Sequence, residues 1–358
     1  MSTLFLIGNG FDINCGMRTS YLDVYKSYVL TDSATDNIKK YKESISSDIA
    51  TWGDFEIAMG KYAEKLDNET EFLECVRDFA EYMEEYLFNE QLQFKKKLQD
   101  KQIYNAIINE VQNSFSLFYT EISHNVDRLM ERRNAGSFYN IQIISFNYTD
   151  VFDQVYHQCG KSLNIVSSEV LHIHSELKDG PVFGVDNDEQ IKAKFTLSNK
   201  GRRGFIKPVF NEEYDKQRVV LAMRMINDAN TICTYGMSLG ESDLSWRNEL
   251  IKWLRNDVNH HLFIYNYDLA RASYKTVTQR MDIEEDEKEK MLSKWGISNE
   301  ETIFNQIHLP CGKNIFNIKD IIHNVNREKM EKKAKELEIK MQLGKEYVER
   351  HAQDVVVV

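Results

Sequence analysis

Short apolar runs, each closing in a polar or glycine-bearing loop, punctuate a chain that is otherwise helical in pattern. The first covers residues 4–7 and meets Gly8-Asn9-Gly10; the others cover 141–146, 170–173, 229–235 and 262–265, the last ending at Asn266. Runs this short and this continuously apolar predict strands buried on both faces of a mostly parallel sheet. In such sheets the ligand sits at the carboxyl ends of the strands. Every polar motif described below falls at one of those ends.

Residues 22–134 carry no proline and are rich in Glu, Lys, Leu and Tyr, which predicts helices. Phe55, Ala58, Met59, Tyr62 and Leu66 mark one apolar face, and Tyr82, Tyr86, Leu87 and Phe88 mark another helix. After Asp320 the pattern is helical and charged, with Met330, Ala334, Leu337 and Met341 at spacings of three or four. A solvated, lightly docked terminal helix with a frayed Val-Val-Val-Val end is expected there; the same apolar positions suit a contact between copies. The expectation is an α/β, Rossmann-like body over 1–325 with a helical insertion at 22–134, followed by a charged helix and tail at 326–358.

Composition narrows the functional classes. The chain has 358 residues, 42% of them hydrophobic, and a net charge of −11. That charge does not favour nucleic acid as a partner. No stretch approaches the ~18 apolar residues of a membrane span, and the N-terminal run is too short for a signal peptide. Cys15, Cys75, Cys159, Cys233 and Cys311 are odd in number and form no C-x-x-C pair. A cysteine zinc site and a disulfide framework are therefore not expected, and the expected setting is a reducing cytoplasm.

Four motifs carry candidate chemistry. In GNGFDINCG two glycines allow a backbone to approach a pyrophosphate closely, though a plain strand-to-helix turn also uses them. Ile13 stands where a dehydrogenase loop has its third glycine, and Gly16 follows six residues after Gly10. Asp12 would repel phosphates, so a ribose contact or a turn cap suits it better. In FNYTD, Asn147 reaches a strand end, where its amide can hold a ribose hydroxyl or a water, or simply form an Asx turn. In LHIHSE, His172 and His174 are two apart on a strand and are expected on one face; His174 lies nearer the loop and suits a general base. No third ligand with metal spacing is evident. In YGMSLGESD, Gly236, Ser238 and Gly240 fit the nucleophile-elbow pattern G-x-S-x-G, with His260, His261, His308 and His323 downstream as candidate partners. Asp243 can cap the helix that follows.

Together IGNGFD with Gly16 and Thr19-Ser20-Tyr21, FNYTD, H-I-H-S-E with Phe183-Gly184-Val185-Asp186, and YGMSLGESD resemble the AbiH family of bacterial abortive-infection proteins. That family in turn looks like a distant relative of sirtuins and of sirtuin-like NAD-cleaving defence effectors. The resemblance implies a sirtuin-like NAD-binding fold. It assigns NAD contacts to Gly8, Asn9, Gly10, Phe11, Asp12, Gly16, Gly236, Ser238, Leu239 and Asn266. It assigns catalysis to Asn147 and His174. Three positions depart from the sirtuin pattern: Ser175 replaces a glycine, Arg18 stands where proline is usual, and Thr149 stands in the place of the loop aspartate, with Asp150 one residue later. The sirtuin zinc module is missing, which argues against a protein deacylase.

The function so implied is an NAD+ hydrolase that cleaves the nicotinamide–ribose bond, with the insertion roofing the pocket, NAD as substrate and no metal. Its depletion of NAD would stop an infected cell before phage release. The expected partners are a second copy of the chain, a phage-derived trigger or a partner protein, with neither nucleic acid nor membrane. Two other readings stand beside it: an NAD- or ADP-ribose-sensing interaction protein without turnover, and a serine hydrolase using Ser238.

Overall fold

The computed structural model describes residues 2–29, 34–120, 140–163, 169–298 and 300–354. Residues 30–33 and 121–134 of the expected insertion, and the terminal valines, lie outside the described residues. Among the described residues six strands, β1 (Ser2–Ile7), β2 (Asn140–Ser145), β3 (Val170–His172), β4 (Thr231–Tyr235), β5 (His261–Tyr265) and β6 (Ile307–His308), form one sheet. Every strand pair is parallel, and the order β3-β2-β1-β4-β5-β6 is that of a Rossmann-like doubly wound sheet. The sequence pattern found five of these strands. It missed β6, whose two residues are too short to leave a periodic signal.

Alternation along each strand explains why the runs read as continuously apolar. Phe5, Ile7, Ile143 and Phe263 pack on one face against Phe115, Phe118, Phe152 and Phe316. Leu4, Leu6, Ile144 and Leu262 pack on the other against Trp246, Leu250, Trp253 and Leu254. Each such side chain contributes about 1.5–3 kcal/mol on burial, so both faces are strongly held and the register has little freedom to slip.

The helices expected as one insertion divide their packing. The helix Lys101–Leu117 lies on the sheet, where Ile107, Val111 and Phe115 join the core beneath β1. The helices Tyr21–Ser27, Asp36–Ser47, Phe55–Tyr62 and Glu69–Lys97 instead build a second core with Leu177, Phe183, Val185, Phe205 and Ile206. The expected face of Phe55, Ala58, Met59, Tyr62 and Leu66 is buried in that second core. Phe88 points outward and is 54% exposed. The terminal helix runs Ile318–Asp354. Ile321, Ile322 and Val325 pack on the core, whereas Met330, Leu337 and Met341 are exposed.

Candidate functional site

Strand register sets the site. Ile7 pairs with both Ser145 and Tyr235, and Ser145 pairs with His172, so four chains leave the sheet at one level. Strand order reverses between β1 and β4, where open α/β sheets form a crevice. A cavity of ≈ 420 Å³ opens there, within the ~300–1,000 Å³ typical of small-molecule sites. Its walls include Gly8, Asn9 and Asp12 after β1, Asn147 and Thr149 after β2, His174 after β3, and Gly236 and Ser238 after β4. Tyr21, Asp54, Glu56, Met83 and Leu87 close it from the helical side.

The glycines of the first loop have a structural reason that the sequence did not show. A Cβ on Gly10 would lie 2.4 Å from the Gly236 Cα, and one on Gly8 would lie 2.6 Å from the Gly236 carbonyl oxygen. The two loops therefore touch backbone to backbone. Gly10 N–H donates to the Gly236 carbonyl (3.0 Å) and Phe11 N–H to that of Gly8 (2.9 Å). These two amides are engaged within the protein. The helix Gly10–Asn14 begins at once and turns Phe11 into the core, against Phe152 and Phe316. Gly16 ends this turn at φ +77° and does not line the cavity. The exposed Asn9 holds the loop shut: its side chain donates to the Thr19 carbonyl and accepts from the Thr19 hydroxyl.

Asp12 is the centre of the cavity's first cluster. Asn147 Nδ2 donates to its Oδ1 at 3.2 Å and Thr149 Oγ1 to its Oδ2 at 2.6 Å. Burial raises the Asp12 pKa to about 7 against these two bonds. The Oδ1 of Asn147 is buried without a hydrogen-bond partner. Thr149 thus serves the site, whereas Asp150 turns away and takes Lys95 and Gln91 of the helix Glu69–Lys97 as partners. Arg18 likewise points outward to Glu90.

The two histidines do not share one face. β3 ends at His172, and Ser175 takes a left-handed backbone (φ 66°), the conformation glycine adopts most readily. His172 sits 3.0 Å from the Asn147 carbonyl and 2.9 Å from an Asp153 carboxylate oxygen. Both partners accept, so both ring nitrogens must donate. Burial opposes that charge, but Asp153 outweighs it and raises the His172 pKa. His172 is therefore clamped behind the loop, with its protonated form favoured by Asp153.

His174 lines the cavity and belongs to a second cluster. Its Nε2 faces Asp243 at 3.7 Å, and its Nδ1 is buried and unpartnered. Burial, followed by the nearby Lys207, depresses its pKa to about 4, so the ring is neutral near pH 7. Lys207 binds Glu56 at 2.7 Å and Asp243 at 3.6 Å. Burial works against the Lys207 charge, but these two carboxylates hold it above the usual lysine range. Burial would raise Asp243, and Lys207 and His174 bring it down to about 2. Glu56 is lifted to about 7 by burial despite Lys207. Asp243 makes no side-chain cap for the helix Leu244–Asn256, the role expected of it; the ion cluster takes it instead.

The remaining expected contacts spread out. Ser238 is an exposed part of the cavity wall. Leu239 is buried in the core below β4, with φ 47°. Asn266 caps the helix Tyr267–Ala270 and does not line the cavity. For the nucleophile-elbow reading, His261 pairs in register with Thr231 at the opposite, amino end of the sheet and bonds His308 there. His260 stacks on Trp253, and His323 is exposed on the terminal helix. None of these four lines the cavity with Ser238. Among the described residues no group of three or more His, Cys, Asp or Glu is placed to hold a metal ion, and no helix is long and apolar enough to cross a membrane.

Sequence reasoning missed Glu56 and Lys207. Glu56 left a faint signal, an acid set between Phe55 and Ala58 on a buried helix face. Lys207, beside Pro208, left none. The family model for bacteriophage abortive infection AbiH matches residues 4–267, a span that contains every wall of the cavity. No curated protein matches the chain.

Proposed function

The chain belongs to the AbiH family of bacteriophage abortive infection proteins, and on that premise we propose that it acts in abortive infection by cleaving NAD+ at the nicotinamide–ribose bond. One observation carries the reading. Asn147 and His174, from different strands, line one cavity, and each holds a buried polar atom without a partner, Oδ1 and Nδ1. Such an atom costs about 1–3 kcal/mol when left unpaired, and two in one cavity favour a ligand that offers hydroxyl or water donors.

The charge of the walls supports the same reading. Asp12, Asp54, Glu56 and Asp243 line the cavity, with Lys207 as the opposing cation. Walls of that sign favour a positive ring and an oxocarbenium-like ribose over a phosphate. Nicotinamide leaves that ring as a neutral molecule, so little acid assistance is needed. Asn147 positions the ribose and the water. Neutral His174 accepts from a ribose hydroxyl through Nδ1, with Asp243 beside its other nitrogen. The phosphates extend toward exposed Asn9 and Ser238 at the rim.

A second reading, binding without turnover, draws on the low basicity of His174. Free nicotinamide separates the two. Pure protein incubated with NAD+ should release nicotinamide and ADP-ribose in equal amounts. NAD+ bound and recovered intact would favour the sensing reading.

A further inference from the structure

We propose that Asp12 is the general base of this reaction, taking a proton from the water that attacks the ribose carbon as nicotinamide leaves. The inference rests on the NAD reading above and deepens it.

The geometry begins with how the carboxylate is held. Asp12 is 2% exposed yet lines the cavity. Asn147 and Thr149, both neutral, bond one oxygen each and fix its plane. Each carboxylate oxygen retains a lone pair for another donor. The unpartnered Oδ1 of Asn147 belongs to the same residue that fixes Asp12. A water donating one hydrogen to Asp12 and the other to that Oδ1 has its own lone pair free for the ribose. The two acceptors thus orient a nucleophile without a metal.

Protonation chemistry agrees with the placement. A base works best with a pKa near the operating pH. Burial sets Asp12 at about 7, whereas His174 lies at about 4. The groups that bear on Asp12 are His172, Asp150, and Cys15 at the end of its own helix. A pyridinium ring entering the cavity adds a positive charge and favours the ionised carboxylate. The step then balances. The carbon–nitrogen bond breaks with its electron pair going to nicotinamide, the water oxygen bonds the ribose carbon, and the water proton passes to Asp12 and on to solvent.

Asp12→Asn preserves volume and can still bond Asn147 and Thr149. Nicotinamide release by this variant should fall by about a hundredfold or more, and the acid limb of kcat/KM near neutral pH should vanish. Thr149→Val removes a donor that favours the carboxylate, so that limb should move to higher pH. An infrared titration of wild type minus Asp12→Asn should show a carboxyl band disappearing near pH 7. A carboxyl already ionised at pH 5 overturns the assignment whatever the activity. If wild type and Asp12→Asn release nicotinamide equally, the base assignment fails and the NAD reading stands. If wild type releases none while the band titrates near neutrality, the NAD reading fails and takes the assignment with it.

Discussion

Asn147 Nδ2 donates to Asp12 Oδ1 across 3.2 Å, joining two strand ends 135 positions apart. With His174 after a third strand, they make a site that exists only once the sheet has formed. Asn147→Ala and His174→Ala should each lower nicotinamide release by about a hundredfold or more. Groups serving one step are not additive, so the double variant should be little worse than the worse single one. Full activity in both singles contradicts the assignment.

The Gly10–Gly236 contact changes what a loop variant reports. Gly10→Val would press its side chain into the Gly236 backbone. Overpacking of this kind costs about 1–3 kcal/mol, so a lower Tm should accompany any loss of NAD binding. A variant that melts like wild type would show that the two loops have room to separate.

Asp12 also makes a stability prediction with a definite sign. Its pKa is about 7 folded against 3.8 as the ordinary value. Between these values the folded protein holds a proton that the unfolded chain has lost, so Asp12 costs stability as pH rises from about 4, levelling off above 7. Asp12→Asn should therefore melt higher than wild type at pH 8, with a smaller gap at pH 5. Thermal melts at both pH values decide this, and a gap that shrinks as pH rises would contradict the folded-state pKa.

Much of the sheet was legible because β1 to β5 repeat one signal, a short apolar run ending in a polar loop. That Asn147 and His174 line one cavity was legible for the same reason, since both follow strand ends; Asp12 joins them from the short helix after β1. Lys207 and Glu56 were not legible. Their partnership joins a helix before β2 to a helix after β3, 151 positions apart, and no local spacing encodes it. Ser175 was legible only as a departure from a glycine. Its left-handed backbone, φ 66°, is the conformation glycine adopts most readily.

Lys207 and Glu56 should behave as a coupled pair. Lys207→Met leaves Glu56 and Asp243 buried without their cation, and breaking a buried pair costs about 3–5 kcal/mol. Glu56→Gln in that background should recover part of the loss. Denaturant unfolding of both singles and the double gives the coupling energy, and strict additivity would contradict a shared ion cluster.

Ser238 separates NAD chemistry from a serine hydrolase. Ser238→Ala should weaken NAD binding by about 0.5–1.5 kcal/mol, the worth of one hydrogen bond, and leave turnover at saturating NAD nearly unchanged. Loss of all turnover with binding intact would point to a serine nucleophile.

The central claim is tested most directly inside infected cells, where any trigger is supplied. NAD+ and nicotinamide are measured through phage infection in cells carrying wild type or Asn147→Ala. Wild type should lose its NAD+ pool, gain nicotinamide and block phage release, while Asn147→Ala should do none of these. Phage protection by wild type with an undiminished NAD+ pool would contradict the account.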